Sequence, residues 1–222
     1  MENELIILNS KEEFIEKTSQ EISFVLDNSI KKHNQANLLL SGGSTPGPVY
    51  KKLSEAYSSL DKVNIGLVDE RYVAQTSDYS NELLLKNCFG ENANISGMVH
   101  NLEKKEKNMH ILNNAYGPFI KRTDLLILGM GGDGHIASIF PEDEGSNLAI
   151  IDDRPFLFTT APSNPKIRIT CSLNFILNSN NIFLFITGDA KLNILRNNTL
   201  KLPIHKLLQN KKSKKIKIFY TK

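Results

Sequence analysis

Between Leu125 and Pro141 a short apolar run, Leu125-Leu-Ile-Leu128, feeds Gly129-Met-Gly-Gly-Asp-Gly-His135, so an acid and an imidazole stand two residues apart in a glycine-dense turn. Glycine lets a backbone approach a ligand closely. Histidine, titrating at about pH 6.5, both takes and gives a proton near neutrality. Asp133 and His135 are therefore the candidate catalytic pair of an enzyme. A lone histidine is more often structural, so His33, His100, His110 and His205 receive no role.

A second segment, Ser41-Gly-Gly-Ser-Thr-Pro46, lies between an apolar run and a helix predicted to begin near Pro46, with Ser and Thr available to cap it. Free N–H groups at such a helix start favour phosphate, which makes Gly42, Gly43, Ser44 and Thr45 candidate contacts. No Gly-Lys-Ser/Thr follows, so this is not a nucleotide P-loop. An ordinary capped turn is the rival reading of this segment alone, and the less favoured one.

The turn Gly129–Gly134 also matches G-x-G-x-x-G, and Asp152-Asp153 stands near the offset of a ribose-binding acid. Three features disfavour a dinucleotide site. Asp133 would face the pyrophosphate, Pro141 falls where a long helix should run, and three strand candidates precede the turn. Asp69-Glu-Arg71 is balanced between a solvated cluster and a site, while Arg168 and Lys191 are unremarkable in isolation. Lys211-Lys-Ser-Lys-Lys-Ile-Lys217 reads as a solvated basic edge.

Apolar runs that alternate with helical patterns must position these segments. Strands are predicted at 5–8, 36–40, 63–68, 125–128, 156–158, 181–186 and 216–220. Ser10 and Glu13 form a capping box opening a long helix whose apolar positions include Phe14, Ile22, Val25 and Ile30. Continuous apolar strands separated by helices imply an α/β fold, a doubly wound, mostly parallel sheet with helices on both faces. Polar and glycine-rich segments follow Leu40, Val68, Leu128 and Ile186, at strand carboxyl ends, where such sheets bind ligands. Four distant loops should then converge on one pocket. No linker-like break appears, so residues 1–222 are expected to form a single domain.

Of the 222 residues, 40% are apolar and 23% charged, and the net charge of +3 suits a small anion better than nucleic acid. Cys88 and Cys171 lack disulfide or zinc-site spacing, so a reducing cytoplasm is expected. The start of the chain does not resemble a signal peptide. No run approaches the ~18–20 apolar residues that span a bilayer. Neither nucleic acid nor membrane is an expected partner.

Taken in order, five segments resemble the glucosamine-6-phosphate isomerase/6-phosphogluconolactonase family. They are Ser41–Pro46, Asp69-Glu-Arg-Tyr-Val73 with Ser80-Asn81, Gly129–Pro141, Ala161–Thr170 and Gly188-Asp-Ala-Lys191. The deaminating isomerases carry a glutamate before the proline of the third segment, where this chain has Phe140, and Glu142 falls beyond Pro141. Arg71 and Ser138-Ile-Phe-Pro141 favour the lactonase branch, whereas Ala74 stands where that branch often has proline.

The resemblance implies hydrolysis of 6-phospho-D-glucono-1,5-lactone, a small phosphorylated sugar lactone. His135 would be the acid–base group and Asp133 its support or a shaper of the turn. Phosphate would rest on the Gly43–Thr45 backbone with Arg168 and Lys191, and Arg71 would be a further anion contact. Neither metal nor cofactor is implied, and a monomer or weak homo-oligomer is expected. The rival readings are a glucosamine-6-phosphate deaminase and a non-catalytic phosphosugar-binding protein.

Overall fold

Seven parallel strands carry the fold: β1 (Glu4–Leu8), β2 (Ala36–Leu40), β3 (Val63–Leu67), β5 (Ile95–Ser96), β6 (Leu125–Gly129), β9 (Ile182–Thr187) and β10 (Ile216–Thr221). The computed structural model describes residues 3–90, 92–197, 201–210 and 216–222. The first five residues of the basic run 211–217 therefore lie outside the described residues. Strand order is β1-β10-β9-β6-β2-β3-β5, with every pairing parallel. Central strands need apolar side chains on both faces. Accordingly all five residues of β2 are buried, as are Ile182–Ile186 of β9. The edge strands differ: β1 alternates toward solvent, and β5 has only two residues.

Around this sheet run α1 (Lys11–His33), α2 (Gly47–Ala56), α3 (Asn81–Phe89), α4 (Lys105–Ala115), α5 (Gly117–Lys121), α6 (Glu144–Ile151), α7 (Leu173–Leu177), α8 (Asp189–Arg196) and α9 (Pro203–Leu208). The predicted N-cap of α1 is present, with Ser10 Oγ accepting from the Glu13 N–H at 3.1 Å. The return bond goes to Asn9 rather than Ser10: its N–H donates to Glu13 Oε2 at 2.7 Å. Phe14 and Ile22 are buried, while Val25 and Ile30 pack partly against the same core.

One expectation needs correction. The strand at 156–158 does not join the parallel sheet. As β7 (Phe156–Thr160) it pairs antiparallel with β8 (Ile167–Cys171), and β8 pairs with β4 (Asp69–Arg71), making a separate three-stranded sheet. Its reach is set by the short β7–β8 hairpin, which cannot make the long crossover that a parallel pairing needs. The small sheet is stitched to the large one by the Cys171 N–H, which donates to the Val68 carbonyl at 2.8 Å.

The chain moves from β2 outward to β3 and β5, then returns to β6 on the other side of β2 and continues to β9. The switch in direction lies between β2 and β6, and a crevice opens there at the strands' carboxyl ends. No helix begins directly after β6, since the next one, α6, starts at Glu144. A dinucleotide-binding turn requires a helix at that point, so the G-x-G-x-x-G match is not one.

Candidate active site

A cavity of about 350 Å³ occupies the switch point. Its walls include the loop Ser41–Pro46 after β2, Asp69 and Arg71 after β3, Asp133 and His135 after β6, and Lys191 after β9. Arg168 of β8 completes it. All nine candidate site residues, Gly42, Gly43, Ser44, Thr45, Arg71, Asp133, His135, Arg168 and Lys191, line this one space. The four predicted loops do converge.

The turn that carries the candidate pair is a tight antiparallel fold-back. The Gly131 N–H donates to the His135 carbonyl at 2.9 Å, and Met130 bridges Ile136. The ring packs so close to Gly131 that a Cβ there would stand 2.2 Å from His135 Nδ1. Asp133 Oδ1 accepts two bonds, from the His135 backbone N–H at 3.1 Å and from ring Nδ1 at 2.6 Å. It thus both shapes the turn and orients the imidazole. A carboxylate accepts, so Nδ1 is the protonated nitrogen and Nε2 keeps its lone pair. The Phe140 ring lies 4.8 Å from the imidazole, centroid to centroid, and walls the cavity.

On the opposite wall, β4 and β8 set two arginines in register, Arg71 directly across from Arg168. Like charges at such a pair repel. Among the described residues neither forms a salt bridge. Burial and the Arg71 charge both lower the Arg168 pKa. Arg71 Nη1 donates to the Tyr79 carbonyl at 2.8 Å, and Arg168 Nε to the Pro165 carbonyl at 2.8 Å. Lys191, in the first turn of α8, is likewise held below its usual pKa by burial. Asp69 and Glu70 offset the Arg168 charge only in part, and among the described residues none of the three cations forms a salt bridge, so an anion would complete this wall.

Strand alternation explains how these side chains are supported. Asp69 and Arg71 share one face of β4 and Glu70 takes the other. Ser138, fully buried, donates through Oγ to Asp69 Oδ2 at 2.6 Å, and its N–H donates to Thr170 Oγ1 at 3.1 Å. Thr159 Oγ1 donates to the Ser138 carbonyl at 2.7 Å. This network joins the segment that follows the Asp133–His135 turn to both arginine strands. Ser138, Thr159 and Thr170 have no obvious chemistry of their own. Period-two spacing of Asp69 with Arg71, and of Arg168 with Thr170, was the available signal.

Glu70 turns inward to cap α3. Its carboxylate accepts from the Arg71, Asn81 and Glu82 N–H groups at 2.7, 2.8 and 2.8 Å and from Ser80 Oγ at 3.1 Å. Burial pushes its carboxyl up to about 7 against the opposing pull of those N–H groups. Glu70→Ala would leave four buried donors without an acceptor. Its expected cost is about 3 kcal/mol of stability, since each unmet donor costs ~1–3 kcal/mol before relaxation and water offset part of the sum. A urea unfolding midpoint equal to wild type would contradict this role.

The loop Ser41–Pro46 differs in one respect from expectation. The N-cap of α2 is Pro46, which makes no side-chain cap, so the expected Ser or Thr cap is absent. Proline has no side-chain oxygen to offer the first-turn amides. Thr45 Oγ1 instead lies 3.2 Å from Thr187 Oγ1 of β9. Among the described residues no group of three or more His, Cys, Asp or Glu side chains is placed to hold a metal ion, and no helix is long and apolar enough to cross a membrane.

The family described as glucosamine-6-phosphate isomerases/6-phosphogluconolactonase matches residues 9–215. A 6-phosphogluconolactonase of Helicobacter pylori is 33% identical, the match covering 87% of each chain. One of Caulobacter vibrioides is 30% identical over 92% of each. The crystal structure of a 6-phosphogluconolactonase from Shewanella baltica superposes with a TM-score of 0.92 at 27% identity, covering 100% of this chain and 98% of the other. A monomeric glucosamine-6-phosphate deaminase shares the fold at 17% identity, with a TM-score of 0.76 and 99% and 97% of the two chains covered.

Proposed function

The chain belongs to the glucosamine-6-phosphate isomerase/6-phosphogluconolactonase family, and we infer from that premise that its reaction is hydrolysis of 6-phospho-D-glucono-1,5-lactone to 6-phosphogluconate. This is a step of the oxidative pentose phosphate pathway. The observation that carries the choice of branch is Phe140. It is buried and forms the cavity wall beside His135, at the position where a deaminase needs a carboxylate. Glu142, beyond Pro141, is not part of that wall.

The chemistry follows from the Asp133–His135 pair. His135 Nε2 takes a proton from water as the water oxygen attacks C1 of the lactone. The carbonyl oxygen becomes an oxyanion, which Arg71 faces. Collapse of the intermediate breaks the bond from C1 to the ring oxygen, and the Nε2 proton passes to that oxygen. The new carboxylic acid then releases its own proton to solvent. Asp133 holds the ring in the required tautomer and steadies the imidazolium formed on the way. Phosphate on the Gly43–Thr45 backbone, Arg168 and Lys191 fixes C1 near Nε2, and such positioning contributes several kcal/mol. These side chains supply base, acid, charge and hold, so the reaction proceeds without metal or organic cofactor.

One continuous apolar cluster draws from both sheets, which supports a single domain. The cysteine usage supports a cytoplasmic enzyme. The test is direct. Lactone made in place by oxidising glucose 6-phosphate should release acid well above its spontaneous rate when the protein is added, with or without chelator. Acid release at the spontaneous rate, with tight phosphosugar binding, would favour the non-catalytic reading. Ammonia release from glucosamine 6-phosphate would favour the deaminase.

A further inference from the structure

The base and the phosphate-side lysine sit on different elements, His135 on the turn after β6 and Lys191 on α8, and one short helix touches both. At its start, the Ile204 N–H donates to the Gly134 carbonyl at 3.1 Å, one residue from His135. Leu202 lies against the same glycine, where a Cβ would come within 2.6 Å of Leu202 Cδ1. One residue beyond Ile204, His205 Nε2–H donates to the Ile194 carbonyl at 2.9 Å, three residues along α8 from Lys191. Ile204 and Leu207 anchor α9 in the core with no exposure.

His205 is 2% exposed, and its Nδ1 has no partner among the described residues. A carbonyl can only accept, so Nε2 carries the proton and Nδ1 is left as a buried lone pair. Leaving that nitrogen unpaired costs stability, and an apolar residue of similar size would avoid the cost. What histidine provides at this place is one rigid N–H aimed at α8.

We propose that α9 is a brace that sets the separation between the His135 imidazole and Lys191, with His205 as its positioning residue. The proposal rests on the assignment of His135 as base and Lys191 as phosphate contact. Substrate held by its phosphate at one end is presented to the base at the other, so slack between the two elements misplaces C1 from Nε2. Displacements of ~1 Å at a reacting centre cost up to ~10²-fold in rate.

The experiment compares His205→Leu, which keeps volume and removes the donor, with His205→Gln, whose Nε2 can restore it. Kinetics are measured with lactone generated in place, at temperatures where urea midpoints show each variant folded. His205→Leu should lower kcat about 10-fold or more while KM changes less than about 2-fold, and His205→Gln should recover most of the loss. In a His135→Ala background His205→Leu should add almost nothing, because no base remains to be positioned. Unchanged kcat, no rescue by glutamine, or an undiminished loss in the His135→Ala background would each overturn the brace. If His205→Leu does not fold, Leu202→Ala must show the same kcat-only loss, and its absence overturns the proposal. Full turnover by His135→Ala would overturn the base assignment and the brace together. Failure confined to the His205 and Leu202 variants removes the brace alone.

Discussion

Replacing His135 with alanine is expected to lower kcat by ~10²- to 10⁴-fold, the usual worth of a positioned acid–base group, and to leave phosphosugar affinity nearly intact. The expectation follows from placement. His135 is the imidazole in the cavity, held by Asp133 at 2.6 Å, and the cationic wall is built from other strands and loops. The change should therefore appear in turnover and not in KM. Asp133→Asn is the sharper companion. An amide can present its nitrogen to the ring, which would favour the wrong tautomer with the proton on Nε2, so turnover should fall even though the shape is kept. Turnover by His135→Ala at the wild-type rate would remove the imidazole from the mechanism.

Much of this arrangement was legible because continuous apolar strands and their polar exits are local features. Ala36–Leu40, Val63–Leu67, Leu125–Gly129 and Ile182–Thr187 are buried strands of the large sheet, and the segments after them form one cavity. What stayed hidden depends on partners distant in the chain. Asp69-Glu-Arg71 resembles a solvated cluster because acidic residues are poor strand formers and are seldom buried. Its burial is compensated by β8 and by the N-terminus of α3, neither visible from the triplet. Strand β5, two residues long, has no pattern to read. His205 looked like any lone histidine, and only tertiary contact reveals what its ring joins.

Arg168→Met should raise KM for the lactone by about 10- to 100-fold, with a smaller fall in kcat, because a charge-assisted contact is worth ~1.5–3 kcal/mol. Methionine keeps an unbranched side chain but removes the charge, and with it the guanidinium that lies 5.9 Å from the Phe140 ring centroid. The same substitution has a second consequence in the empty protein. Arg168 faces Arg71 in register, and burial and that neighbouring charge act against its own more than Asp69 and Glu70 favour it. Removing it relieves repulsion, so the urea midpoint without ligand should hold steady or rise. The stabilisation that saturating 6-phosphogluconate gives to wild type should shrink by about 1.4 kcal/mol for each tenfold loss of affinity. A residue kept for packing would behave the opposite way, losing stability while KM stayed put. Those paired signs decide whether the facing arginines are the anion site that the fold strains to keep open. Wild-type KM in a folded Arg168→Met enzyme would place the phosphate elsewhere, with Lys191→Ala then the variant whose KM must rise.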